Sequence, residues 1–87
     1  MPELSRFLGI VIAMYYRDHG PPHFHAIYGD FEATVNIMTG ELSGILPNRA
    51  LAHVQEWRRR HLEELLSAWS LAQIQRPPPK IGALESF

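Results

Sequence analysis

The sequence predicts an α+β domain: a four-stranded antiparallel β-meander with two C-terminal helices packed on one face. Three observations carry that expectation. Up to Leu46 the apolar residues alternate or form short β-branched and aromatic runs, whereas from Pro47 onward they recur with a period of about 3.6. The strand-like stretches are separated by tight-turn signals at Gly29-Asp30 and Thr39-Gly40. A chain of 87 residues has room for one domain, one that buries only about 60 to 65% of its unfolded surface. We place that domain at residues 1–75 and read the proline-rich stretch 76–87 as a flexible tail.

The first strand is read at Phe7–Tyr16, apolar on both alternating sets, which suits a strand covered on both faces or packed at a subunit contact. Arg17–Pro22 is a polar turn whose two prolines feed extended chain into His23–Tyr28. A two-residue loop at Gly29-Asp30 pairs Tyr28 with Phe31, Ala26 with Ala33 and Phe24 with Val35 on one apolar face. The opposite face then carries His23 across from Asn36 and His25 across from Thr34, with Glu32 diagonal to His25. The same rule applied to Thr39-Gly40 pairs Ile37 with Leu42 and Asn36 with Ser43. In the C-terminal half, Leu51, Val54, Trp57, Leu62, Leu65, Trp69 and Ala72 trace a helical stripe, with Asn48 as its N-cap. One helix over 48–75 would run about 40 Å and overhang the sheet, so a break is expected near Arg60-His61.

Composition excludes several function classes. There is no cysteine, so disulfides and thiolate zinc sites are ruled out, and a metal must sit on His, Asp or Glu. The longest apolar run, Phe7–Met14, is far short of the roughly 20 residues of a bilayer span. We expect a soluble cytoplasmic protein without membrane contact. A net charge of −1 provides no global field for nucleic acid.

Chemistry concentrates in Asp18-His19-Gly20-Pro21-Pro22-His23-Phe24-His25, which brings three of five histidines within seven residues. His-x-His on a strand sets two imidazoles on one face, their Cβ atoms about 7 Å apart. With Glu32 beside them this suits a divalent metal such as zinc on His23, His25 and Glu32. Without a metal, His23 and His25 could act as general acid and base on a phosphodiester, supported by Asp18 and Glu32. His19, Thr34 and Asn36 would line a ligand site. The plainer alternative is that both histidines are polar residues on the wet face of the sheet, hydrogen-bonded to Thr34 and Asn36. A second basic stretch, Arg58, Arg59 and Arg60 beside Trp57, could hold phosphates, but three consecutive helical residues span about 300° and cannot share one ligand.

Ser5-Arg-Phe-Leu-Gly-Ile-Val-Ile12, Pro21-Pro-His-Phe-His-Ala26 and His61-Leu-Glu-Glu-Leu-Leu-Ser-Ala-Trp69 resemble a family of small bacterial proteins, domain of unknown function family 4160. The resemblance runs from about Ser5 to Gln75, and of its motif positions His23 and His25 carry over. It implies no reaction. It does imply a neighbouring small protein in an arrangement like a toxin–antitoxin or regulatory pair. The first functional expectation is therefore a binding or regulatory module with a protein partner or as a homodimer; the alternative is a small histidine-based or metal-dependent hydrolase or ribonuclease using His23 and His25.

Overall fold

The computed structural model describes residues 2–84. It is an antiparallel meander with two helices on one face, but of five strands and not four: β1 (Glu3–Phe7), β2 (Ile10–Ala13), β3 (His23–Tyr28), β4 (Phe31–Asn36) and β5 (Leu42–Gly44), in spatial order β1-β2-β3-β4-β5. The extra strand, β1, lies ahead of the apolar run read as the first strand and shares only Phe7 with it; the run itself supplies β2. At Leu8 and Gly9 the backbone turns through φ 51° and 79°, the positive pair that a two-residue hairpin loop needs. Gly9 adopts this at no steric cost; Leu8 does not, which is why the turn is hard to see in the sequence. Within the run, Phe7, Ile10, Ile12, Ala13 and Met14 are buried, Val11 is partly buried, and Leu8, Tyr15 and Tyr16 are exposed.

Between β3 and β4 every pair falls where the loop length places it, from His23↔Asn36 through His25↔Thr34 to Tyr28↔Phe31. The following hairpin differs. Val35 pairs with Leu42 and Thr34 with Ser43, two residues away from the expected register. Asn36 causes the shift: its side-chain oxygen accepts the N–H groups of Met38 and Thr39 at 2.9 and 3.0 Å, and its own N–H donates to the Glu41 carbonyl at 2.9 Å. This Asx-type turn widens the loop to residues 37–40. A shift of two keeps each side chain on its face, so Ser43 still lies on the histidine side.

The helices are α1 (Asn48–Arg60) and α2 (Leu62–Gln73), separated at His61, whose φ of −123° leaves the helical region. Pro47, not Asn48, holds the N-cap position, and no side chain caps the helix there. Ala50, Val54, Trp57, Leu65, Ala68 and Ala72 are buried against Phe24, Ala26, Val35 and Ile37. Leu51, Leu62 and Trp69 are partly buried at the margin of this core. Trp57 is fully buried, 5.5 Å from Phe7 and 5.7 Å from Phe24 between ring centroids.

Of the tail expected at 76–87, residues 85–87 lie outside the described residues. Residues 76–84 form neither helix nor strand, yet Ile81 and Leu84 are buried, the Ile81 N–H donates to the Leu4 carbonyl at 2.8 Å, and the Trp57 indole N–H donates to the Gly82 carbonyl at 2.8 Å. The segment thus satisfies the indole that the core would otherwise leave without an acceptor. Among the described residues no helix is long and apolar enough to cross a membrane.

Candidate metal centre

Strand alternation sends Phe24 and Ala26 into the core and turns His23 and His25 to the opposite face, their ring centroids 5.5 Å apart. That face is not left open to solvent over the histidines. The loop from Met14 to Pro22 folds back across the start of β3, so that the Tyr15 ring stacks on His25 at 4.0 Å and His25 is 7% exposed. Two bonds tie the loop to the last turn of α2: the Arg17 N–H donates to the Ala72 carbonyl, and the Gln73 amide donates to the Asp18 carbonyl, both at 3.2 Å. Trp69 of the same helix lies 5.2 Å from the His23 ring.

This folding delivers the Asp18 carboxylate to both imidazoles. Its Oδ2 is 2.9 Å from His23 Nε2 and 3.5 Å from His25 Nε2, while Oδ1 accepts the His19 backbone N–H at 2.9 Å. Burial pushes the Asp18 carboxyl up, but the His19 N–H and the two histidines together outweigh it and hold the group below the usual carboxylate range. Asp18 is therefore ionised near neutral pH and can only accept.

The ring nitrogens can then be accounted for one by one. His23 Nδ1 lies 2.9 Å from the Pro21 carbonyl, an acceptor, so Nδ1 carries hydrogen. Its Nε2 faces a second acceptor, Asp18. His25 Nδ1 faces Glu32 Oε2 at 3.4 Å, and its Nε2 again faces Asp18. All four nitrogens thus point at oxygen acceptors, whereas a neutral imidazole has one N–H to give. A cation in the space that the two Nε2 atoms and Asp18 share would take the place of the missing donors. One ligand atom from each of Asp18, His23 and His25 lies within 4.8 Å of the others. Ligands about 2.05 Å from a tetrahedral zinc stand about 3.3 Å apart, a value that the two Asp18–imidazole distances bracket.

The carboxylate in this cluster is Asp18, which the sequence placed only in support. Glu32, expected as the ligand, sits behind His25 on its other nitrogen, where it fixes the tautomer. Thr34 pairs with His25 across the strands, and Asn36 is engaged through its oxygen in the hairpin turn. The His19 ring lies outside the cluster and borders a groove with His23, Thr34 and Asn36. Tyr15, Trp69 and Gln73 complete the surroundings; alternation could have flagged Tyr15, but nothing local in the sequence points to Gln73.

The three arginines are not gathered. Arg58 is anchored to the 37–40 loop, donating from Nη1 to the Ile37 carbonyl at 2.8 Å and from Nε to Gln55 Oε1 at 2.9 Å; burial, with Arg59 beside it, lowers its pKa. Arg60 pairs with Glu56 at 2.6 Å, and Arg59 is exposed. These contacts are those of a helix surface.

Comparison with known proteins gives one family. The family model described as Domain of unknown function (DUF4160) matches residues 9–70, a span that contains the whole cluster. No curated protein and no solved structure matches the chain.

Proposed function

Because the chain belongs to the DUF4160 family, a domain of unknown function that brings no reaction with it, we propose from its own residues that it is a metal-dependent hydrolase. Asp18, His23 and His25 hold one divalent ion, zinc being the best match to two imidazoles and a carboxylate. The observation that carries this reading is the convergence of two Nε2 atoms on one ionised carboxylate, with both Nδ1 atoms turned to outer acceptors. Ligating histidines keep that arrangement: one nitrogen on the metal, the other donating to a carbonyl or carboxylate. A divalent ion with three protein ligands and an open position supplies a bound water acidified to a pKa of about 7. The chain's own residues orient and shield. Pro21 and Glu32 fix the two tautomers, Tyr15 covers His25, and Gln73 holds the backbone of Asp18.

The test is metal binding to chelator-treated protein, followed by calorimetry with zinc and by the visible absorption of the cobalt form. One equivalent should bind, with the absorption pattern of a nitrogen–oxygen site. Absence of stoichiometric binding overturns the reading.

A second reading, a regulatory module working with a protein partner in a toxin–antitoxin-like pair, draws on different residues. Tyr15 and Tyr16 beside the cluster and Phe31, Met38 and Ile45 elsewhere are large apolar side chains left exposed, surface that a partner or a second copy would cover. Light scattering of the purified protein, which reads whether a second copy covers that surface, tests it.

A further inference from the structure

We propose that the substrate of this centre is an uncharged ester or amide that is gripped by hydrogen bonds, and that polyanions such as RNA are turned away; this rests on the metal-centre reading above. A groove of about 400 Å³ opens beside His23, on the polar face of β3, β4 and β5. His19, Thr34, Asn36, Glu41 and Ser43 line it. Their side chains hold unused hydrogen-bonding capacity. Thr34 and Ser43 hydroxyls, the His19 ring and the Glu41 carboxylate have no partner among the described residues, and Asn36 uses its oxygen in the hairpin turn while its NH₂ stays unspent.

The sign of the charge decides the class of ligand. Among the described residues no lysine or arginine lines the groove; Glu41 does, and Asp18 adjoins it through His23. Phosphate-binding surfaces depend on lysine and arginine to neutralise the backbone. Here Asp18 would offset half of a divalent ion's charge, Glu41 lines the approach and Glu32 stands behind His25, with no lysine or arginine on the groove to offset them, so a phosphodiester would enter against its own charge. A neutral carbonyl compound meets no such penalty, and the hydroxyls, amide and imidazole offer it both donors and acceptors. In the reaction, a water oxygen bonds to the carbonyl carbon, the bond to the leaving oxygen or nitrogen breaks, and the leaving group takes up the remaining proton.

The experiment uses zinc-loaded full-length protein and two probes with the same leaving group, p-nitrophenyl acetate and bis(p-nitrophenyl) phosphate, each corrected for zinc in imidazole buffer. Zinc-dependent cleavage of the ester should be enhanced over that background at least about 100-fold more than cleavage of the diester. Glu41→Lys, a change at an exposed position checked by circular dichroism, should move the ratio at least about tenfold toward the diester. Thr34→Val with Ser43→Ala should raise KM for the ester more than it lowers kcat. The proposal is overturned if the zinc-loaded wild type prefers the diester, cleaves neither probe, or keeps the same ratio in Glu41→Lys. Failure of the wild type to take up zinc overturns the metal centre itself, and calorimetry reads that separately.

Discussion

Among the described residues histidine meets carboxylate in two places, and the two are built differently. His61, between the helices, has Nδ1 2.6 Å from Glu64 Oε1, three residues on, and Glu64 is half exposed. That contact is local, uses one nitrogen and one oxygen, and sits at the start of α2, where an acidic side chain suits the helix dipole. Around His23 and His25 the carboxylates come from a loop and a neighbouring strand, and every ring nitrogen is engaged. The shorter distance belongs to the pair that helix geometry alone explains. Convergence of several groups from a loop and two strands, not closeness, marks the site.

Substitutions can break this comparison. His23→Ala and His25→Ala are each expected to lower zinc affinity by more than about 100-fold, beyond what loss of an outer hydrogen-bond partner costs, while His61→Ala leaves it within about twofold; calorimetry on chelator-treated protein measures both. Equal losses at all three positions would mean that the chain binds zinc wherever an imidazole is exposed. Glu32 sharpens the contrast. Because it touches His25 from behind, Glu32→Ala should cost about 10- to 100-fold in affinity without changing stoichiometry, read by zinc competition against a chromophoric chelator.

Stability of the metal-free protein separates the two regions by a smaller margin. His25→Ala strips the half-buried Asp18 carboxylate of a donor and opens space under Tyr15, and should cost about 1 to 3 kcal/mol in urea unfolding. His61→Ala should stay within about 0.5 kcal/mol. A loss at His61 as large as at His25 would show that its packing on Trp57, 5.3 Å between ring centroids, matters more than the ion pair.

How far the sequence could see follows the same division between local and remote. The pairing of β3 with β4, and hence the shared face of His23, His25, Thr34 and Asn36, was legible because a two-residue loop and period-two alternation determine it over a dozen neighbouring residues. The break at His61 followed from length alone. The Leu8-Gly9 turn was hidden because Leu8 belongs to an unbroken apolar run and takes a left-handed conformation that leucine rarely adopts. The wider 37–40 loop depended on one side chain, Asn36, capturing two backbone N–H groups. Asp18 stood out as a candidate, but its approach to the histidines depends on Ala72 and Gln73, more than fifty residues away. No periodicity or turn propensity encodes such a contact.

The smallest expected effect concerns pH, and it tests whether Asp18 is bound to its neighbours even without metal. Burial alone would raise its pKa; the His19 N–H and the two imidazoles lower it further than burial raises it, so the folded value lies below the ordinary one near 4. In the unfolded chain Asp18 accordingly takes up a proton at higher pH than in the folded chain. The stability it contributes is therefore complete above about pH 4 and disappears as pH falls through the lower folded value. Glu3 is also lowered, first by its hydrogen bond to Arg6, so the informative quantity is the difference between wild type and Asp18→Asn, which keeps Glu3 and removes only the titrating carboxyl. Urea midpoints of the metal-free proteins should converge as pH drops from 5 toward 2. Parallel curves over that range would mean that the His19 N–H and the imidazoles together do no more than offset the burial of Asp18, and a net hold on the carboxylate would then require the metal.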